Sequence, residues 1–334
     1  MSGTNSLDSE VGRLLEWLET QGYSLQMQVA RIFSSAGFDV SQFEIYIDPS
    51  EGKLREIDVL ASVTRAFNGF TVSVAFLIEC KHGGEHQWVV FTSPRRVGRW
   101  FHFARVLREK PEIVNWQHLP TLQSRLISRI LASPTFRDTR NSRFLSIPQS
   151  LGSMVVEAHM PKSTQSAKGG KAAKGSQGIN NAHSAVMQVT SCVQAYDMQD
   201  EMMFQRIVAD HESSAGYVAL RVSDLSLYAR IAFPVVTVGG NLFECCLDQN
   251  GEVTLSRADR SVVLIPIKNP DDPAMIPSHM SAVTIVTQAH IEDFAAEAYQ
   301  VATGILAEER AIREVWSFER ERLYSSDDRE ELPF

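Results

Sequence analysis

Residues 55–81, REIDVLASVTRAFNGFTVSVAFLIECK, constrain the fold more than any other stretch of the chain. Two runs rich in Val, Ile, Ala and Phe meet at Asn68-Gly69, so they read as antiparallel strands closed by a turn. A third run, FDVSQFEIYI, precedes them across DPSEGK, giving a three-stranded meander over about 38–47, 55–64 and 71–80. The open end of the hairpin carries charge. Asp58 interrupts one apolar strand, and Glu79 and Lys81 close the other.

Successive side chains on a strand face opposite sides, so Glu79 and Lys81 share a face while Cys80 takes the other. Asp58 lies about ten residues before the turn and Glu79 about ten after it. That places the two carboxylates at one height on neighbouring strands. Two carboxylates and a peptide carbonyl, here that of Cys80, are hard oxygen ligands of the type Mg²⁺ accepts while keeping several waters. The Lys81 ammonium can orient or help deprotonate such a water and neutralise charge building on a phosphate.

Around the meander, helices are expected at about 8–20, with Val11, Leu14, Leu15 and Leu18 on one stripe, and at about 24–36, with Leu25, Val29, Ile32 and Phe33. Ser24 is the expected N-cap of the second, and Gly37 closes it. Asp58 followed by Glu79-Cys80-Lys81, in the order helix, strand, strand with Asp, strand with Glu-x-Lys, resembles the PD-(D/E)xK nuclease superfamily over about residues 22–92.

That resemblance implies an α/β fold with a restriction-endonuclease-like core, a mixed central sheet flanked by helices. It implies Asp58 and Glu79 as metal ligands, the Cys80 carbonyl as a third, and Lys81 as the residue positioning the attacking water. The implied cofactor is Mg²⁺, with Mn²⁺ able to substitute, and the implied reaction is hydrolysis of phosphodiester bonds, with DNA as the expected substrate. One departure is visible. Many members place a Glu on the first core helix, where GYSLQMQVARIFSSAGF offers Gln26 or Gln28. An amide can hold a water or a phosphate oxygen but brings no negative charge and cannot act as a base. A catalytically degenerate module that binds nucleic acid or a protein partner is the alternative.

The superfamily core needs a helix and a further strand after the Glu-x-Lys strand, and a long helix from about 180 and the strand IAFPVVTV are the candidates. Gln188, on that helix, is a further accessory candidate. Residues 1–92 and about 179–260 then form an interrupted core, 93–178 a basic helical insertion ending in a linker at 161–178, and 261–334 a C-terminal strand and long helix. A split at the linker into two domains is the alternative. A helix running from Ser93-Pro94 to about Glu109 is expected in the insertion, and IAFPVVTV, NLFECCL, EVTLS and VVLIPI read as a second meander.

Net charge is −8, yet Pro94 to Arg143 holds ten Arg and one Lys against three acids, a local excess of +8. Within it, Arg95, Arg96, Arg99, Arg105 and Arg108 interleave with Trp100, Phe101 and Phe103, a pattern suited to backbone phosphates or to a solvated basic face over an aromatic core. His82 and His86 have i, i+4 spacing, but Gly83-Gly84 between them argues against a helix and so against zinc. Those glycines either let the backbone approach a phosphate or simply turn the chain.

Four cysteines without a CxxC pair read as reduced thiols. No apolar run approaches the roughly 18 residues of a membrane span, and the N-terminus lacks a secretory pattern. A cytoplasmic location is therefore the expectation, with no membrane partner and with a homo-oligomer or larger assembly left open.

Overall fold

In the computed structural model of this chain the described residues are 4–67, 70–82, 87–94, 101–102, 105–108, 150–158, 181–196, 227–266, 280–310 and 312–313. They begin with helices α1 (Thr4–Thr20) and α2 (Tyr23–Ala36) and the meander β1 (Asp39–Ile47), β2 (Leu54–Phe67) and β3 (Phe70–Lys81). Next come β4 (Gln87–Pro94), β5 (Phe101–His102), β6 (Arg105–Arg108), β7 (Ser150–Ala158) and helix α3 (181–196). The chain continues as β8 (Leu227–Val238), β9 (Asn241–Leu247), β10 (Val253–Ala258), β11 (Arg260–Pro266) and β12 (Met280–Thr287). A 3₁₀ turn, Gln288–His290, leads into α4 (Ile291–Ala307).

Ten of these strands follow one path, β1-β2-β3-β8-β12-β11-β7-β4-β9-β10, so with the four helices the fold is mixed α/β. The sheet is antiparallel through β1, β2 and β3 and parallel through β3, β8 and β12. Parallel strands covered on both faces read as continuous apolar runs. In β3 the five residues Val74 to Ile78 are all fully buried, and β8 is buried without a break from Ile231 to Val238.

Each face of the sheet has its own core. On one face Val29 and Phe33 of α2 pack with Phe76 and Ile78 of β3 and with Phe294, Ala298, Val301 and Ile305 of α4. On the other, Ala185, Val186 and Val189 of α3 pack with Leu77 of β3, Val236 of β8 and Trp88 of β4. The even and odd residues of β3 therefore serve different helices.

Several expectations change. The described part of 93–109 is strand: β4 runs on through Pro94, and β6 pairs antiparallel with residues 229–232 of β8. The cause is backbone accounting. β12 pairs only with residues 235–238 of β8, and the remaining length of this buried strand needs a partner for its main chain. β7 likewise enters the sheet between β4 and β11, so the described residues of the expected helical insertion are extended.

The second meander is not sequential either, because only β9 and β10 of that series pair with each other. β12 and α4, expected as a C-terminal extension, sit at the centre: β12 is beside β8, and α4 shares a core with α2. The α1 stripe faces outward, with Val11, Leu14 and Leu15 each about half exposed (48%, 55% and 57%). No helix among the described residues is long and apolar enough to cross a membrane.

Gly22, rather than Ser24, precedes α2 as its N-cap, and Gly37 ends the helix with φ 110°, its N–H bonded to the last-turn carbonyls of Phe33 and Ser34. A Cβ at Gly37 would also stand 2.8 Å from the ring of Tyr299 on α4. Gly37→Ala combines left-handed strain with a clash between two core helices and is expected to cost about 1–3 kcal/mol, read as a lower denaturant midpoint with an unchanged slope. An unchanged midpoint would show that neither constraint matters.

Candidate active site

The site forms where the two hairpin strands stop pairing. β2 and β3 are matched from Phe67↔Phe70 to Val59↔Ile78, so the next step of the same register sets Asp58 across from Glu79. β3 remains paired with β8 on its other side through Lys81, but its pairing with β2 ends at Ile78. The Cys80 N–H, directed toward β2, donates to the Asp58 side chain, at 2.6 Å from Oδ2. Main-chain N–H and C=O groups of one strand residue face the same neighbour, so the Cys80 carbonyl is also turned toward Asp58.

The remaining carboxylate oxygens are held from the two opposite faces of the sheet. From α2, Gln26 Nε2 donates to Asp58 Oδ1 at 2.5 Å. From α3, Gln188 Nε2 donates to Glu79 Oε2 and to the Glu56 carbonyl, both at 3.0 Å. Lys81 Nζ lies 2.6 Å from Glu79 Oε1. The period-two expectation for β3 holds: Glu79 and Lys81 meet on one face, while Cys80 lies in the core on the other. Asp58 is only 7% exposed and Glu79 1%, whereas the Lys81 side chain keeps 33%, so the acids are walled in and the ammonium stands at the mouth.

Burial dominates the electrostatics. It pushes Asp58 up to about 6, against the opposing pull of the Cys80 N–H and Lys81. It pushes Glu79 up to about 8, helped by the charge of Asp58 and resisted by Lys81. Burial acts the other way on Lys81, but Glu79 and Asp58 outweigh it and hold the ammonium above its ordinary value. The cluster is thus short of positive charge.

The donors suit a hard divalent cation. No three His, Cys, Asp or Glu side chains come together among the described residues, so the available set is two carboxylates with main-chain and amide oxygens. One oxygen next to the acids is unsatisfied: Gln26 Oε1 is buried without a hydrogen-bond partner, on the amide whose nitrogen holds Asp58. Buried oxygens left unpaired are costly unless a cation, water or ligand meets them.

The candidates named from sequence distribute as follows. Asp58, Glu79, Lys81, the Cys80 main chain, Gln26 and Gln188 come together. Gln28 does not; its Oε1 accepts from Gln288 Nε2 at 2.7 Å. Arg105 and Arg108 lie on β6, opposite Ala232 and Ala229, in a strand rather than a helix. Arg95, Arg96, Arg99 and His86 lie outside the described residues.

Sequence reasoning missed Tyr46, fully buried on β1, whose hydroxyl donates to the Gln188 carbonyl at 3.1 Å and so fixes α3 against the site. Its signal was a lone aromatic out of phase with Phe43, Ile45 and Ile47, which point outward instead. His82 lies at the start of α2, 3.4 Å from where a Cβ on Gly22 would stand.

Both carboxyls bind their protons more tightly folded than unfolded, where they titrate near 4. Charging them therefore costs folded-state stability, nothing below about pH 4 and progressively more up to about pH 8. In chelator, wild type is expected to lose stability relative to Glu79→Gln as pH rises from 5 to 8, with Mg²⁺ restoring it. Parallel denaturation curves for the two proteins across that range would rule this out. Against known proteins the chain matches no family model, no curated protein and no solved structure, so its chemistry is read from this cluster itself.

Proposed function

We propose that the protein is a metal-dependent nuclease of the PD-(D/E)xK type that hydrolyses phosphodiester bonds, with DNA as the expected substrate. The observation that carries this reading is the pair of buried acids, Asp58 and Glu79, set across from each other at a strand end with Lys81 2.6 Å from one of them. The order α2, β1, β2, β3 and then, after the intervening β4–β7, α3 and β8, with β8 parallel beside β3, supports this reading.

Asp58, Glu79 and the Cys80 carbonyl would hold a divalent cation such as Mg²⁺, which supplies Lewis-acid activation of a water and of the phosphate oxygens. Lys81, nearest to solvent, orients the attacking water and offsets negative charge as the ester oxygen leaves phosphorus. Gln188 fixes the Glu79 rotamer through Oε2 while anchoring itself to the Glu56 carbonyl, which leaves the acid little freedom to swing. Gln26 does the same for Asp58 from the opposite helix. Such support keeps reacting groups aligned before substrate arrives.

A binding module without catalysis is the second reading, and one observation favours it: each of the four carboxylate oxygens already has a protein donor. Incubation of the purified chain with single-stranded and duplex DNA and RNA in Mg²⁺ or Mn²⁺ separates the two. Cleavage is expected, lowered by at least about 100-fold in Asp58→Ala and Lys81→Ala. Wild type cutting no faster than these variants would leave only the binding module.

A further inference from the structure

Beside the carboxylates lies a row of aromatic rings that the catalytic reading does not use. Trp17 of α1 stands 5.9 Å from Tyr23 at the start of α2, and Tyr23 stands 6.4 Å from Phe43 of β1. The two outer rings are open to solvent, Trp17 at 51% and Phe43 at 42%. The row is next to the site by construction. Phe43 and Asp58 both lie between the paired residues Gln42↔Val59 and Glu44↔Ile57, and Tyr23 precedes by one turn the Gln26 that holds Asp58.

Phe43 is also the one non-glycine residue with positive φ among the described residues, at 60°. A bulky side chain in the left-handed region is a conformational outlier, and such strain clusters at binding and catalytic sites. Here it accompanies a ring that lies against Tyr23 and keeps 42% exposure.

A groove of about 640 Å³ continues from this end of α2, lined by Met27, Arg31, Val40 and Gln42 among others. Tyr23, Met27 and Arg31 recur at intervals of four along α2 and so share one helix face. Arg31 is exposed, and the Gln42 amide nitrogen is buried without an acceptor. Rings open to solvent followed by a cation and a spare donor are the components of a site for an unpaired nucleic-acid strand, in which bases stack and phosphates meet charge.

We infer that Trp17, Tyr23 and Phe43 form a stacking platform for unpaired bases, continued by the Arg31 groove, which leads a single strand past Asp58 and Glu79. The placement rests on the nuclease reading of those acids, and the inference adds the substrate class: single-stranded DNA or RNA, or the frayed end of a duplex. Stacking tolerates any base, so no sequence preference accompanies it.

The test is binding in EDTA, where cutting is suppressed. Fluorescence anisotropy would compare labelled oligo(dT) and oligo(U) of about 12 nucleotides with a blunt duplex, a length suited to one stacking groove. Trp17→Ala and Phe43→Ala are expected each to weaken single-strand binding on the order of 10-fold and to leave duplex binding unchanged. Phe43→Gly guards against misfolding, because glycine accepts positive φ without strain: it should unfold at or above the wild-type temperature while losing the same affinity.

Binding of either oligonucleotide through these rings supports the platform, and the tighter one identifies the sugar. Equal losses on duplex and single strand, no loss in the variants, or no wild-type binding would overturn it. The two readings fail separately. A chain that binds through the rings but cuts nothing keeps the platform without the nuclease, and one that cuts in Mg²⁺ with unimpaired Trp17→Ala and Phe43→Ala keeps the nuclease without the platform.

Discussion

The Asp58 carboxylate accepting the Cys80 N–H is the contact on which the site depends. Beyond Val59↔Ile78 the β2–β3 ladder ends, and a buried N–H on β3 would otherwise be left without an acceptor. A side-chain carboxylate answers that demand. In doing so it is drawn to the strand edge, across from Glu79, where its second oxygen can be reached from α2. The same departure of β2 opens the Cys80 carbonyl toward the acid. One interrupted ladder thus creates both the donor set and the opening to it.

The two acids are then held from opposite faces of one sheet. Gln26 belongs to the helix packed on the Phe33–Phe76 core, and Gln188 to the helix packed on the Val186–Leu77 core. Displacing either helix would loosen one carboxylate without moving the other. Tyr46 shows how far this support extends, since its buried hydroxyl ties the outer strand β1 to the Gln188 main chain. Neutral amides are suited to this work. They orient carboxylates by hydrogen bonds without cancelling the charge that a cation would need.

The hairpin and its charged end were legible in the sequence because they depend on local rules. The register that starts at Phe67↔Phe70 is the one expected for a hairpin closing at that point, and its next step past Val59↔Ile78 sets Asp58 across from Glu79. The helix stripe at Val29–Phe33 was legible for the same reason, being a face of one element. What could not be read was which distant segment completes the sheet. β12 pairs with β8, and β6 and β5 fill the lengths they leave, because neighbours in space need main-chain partners whatever their separation along the chain. Local periodicity also misplaced the α1 stripe: Val11, Leu14 and Leu15 fit a buried face, but the periodicity of a helix specifies a face without specifying what covers it.

The nuclease proposal is compatible with an acidic chain because charge acts over a Debye length, roughly 8 Å at physiological salt, not over the whole molecule. At the site Asp58, Glu79 and Lys81 sum to one negative charge when all are ionised, and burial resists even that. A divalent cation held there would turn the sum to one positive charge, which the single negative charge of a phosphodiester would then meet. On the nuclease proposal each arrival would correct the imbalance left by the one before, cation first and then phosphate. A wholly basic cleft would lack this order, since it would attract the phosphate whether or not the cation was in place.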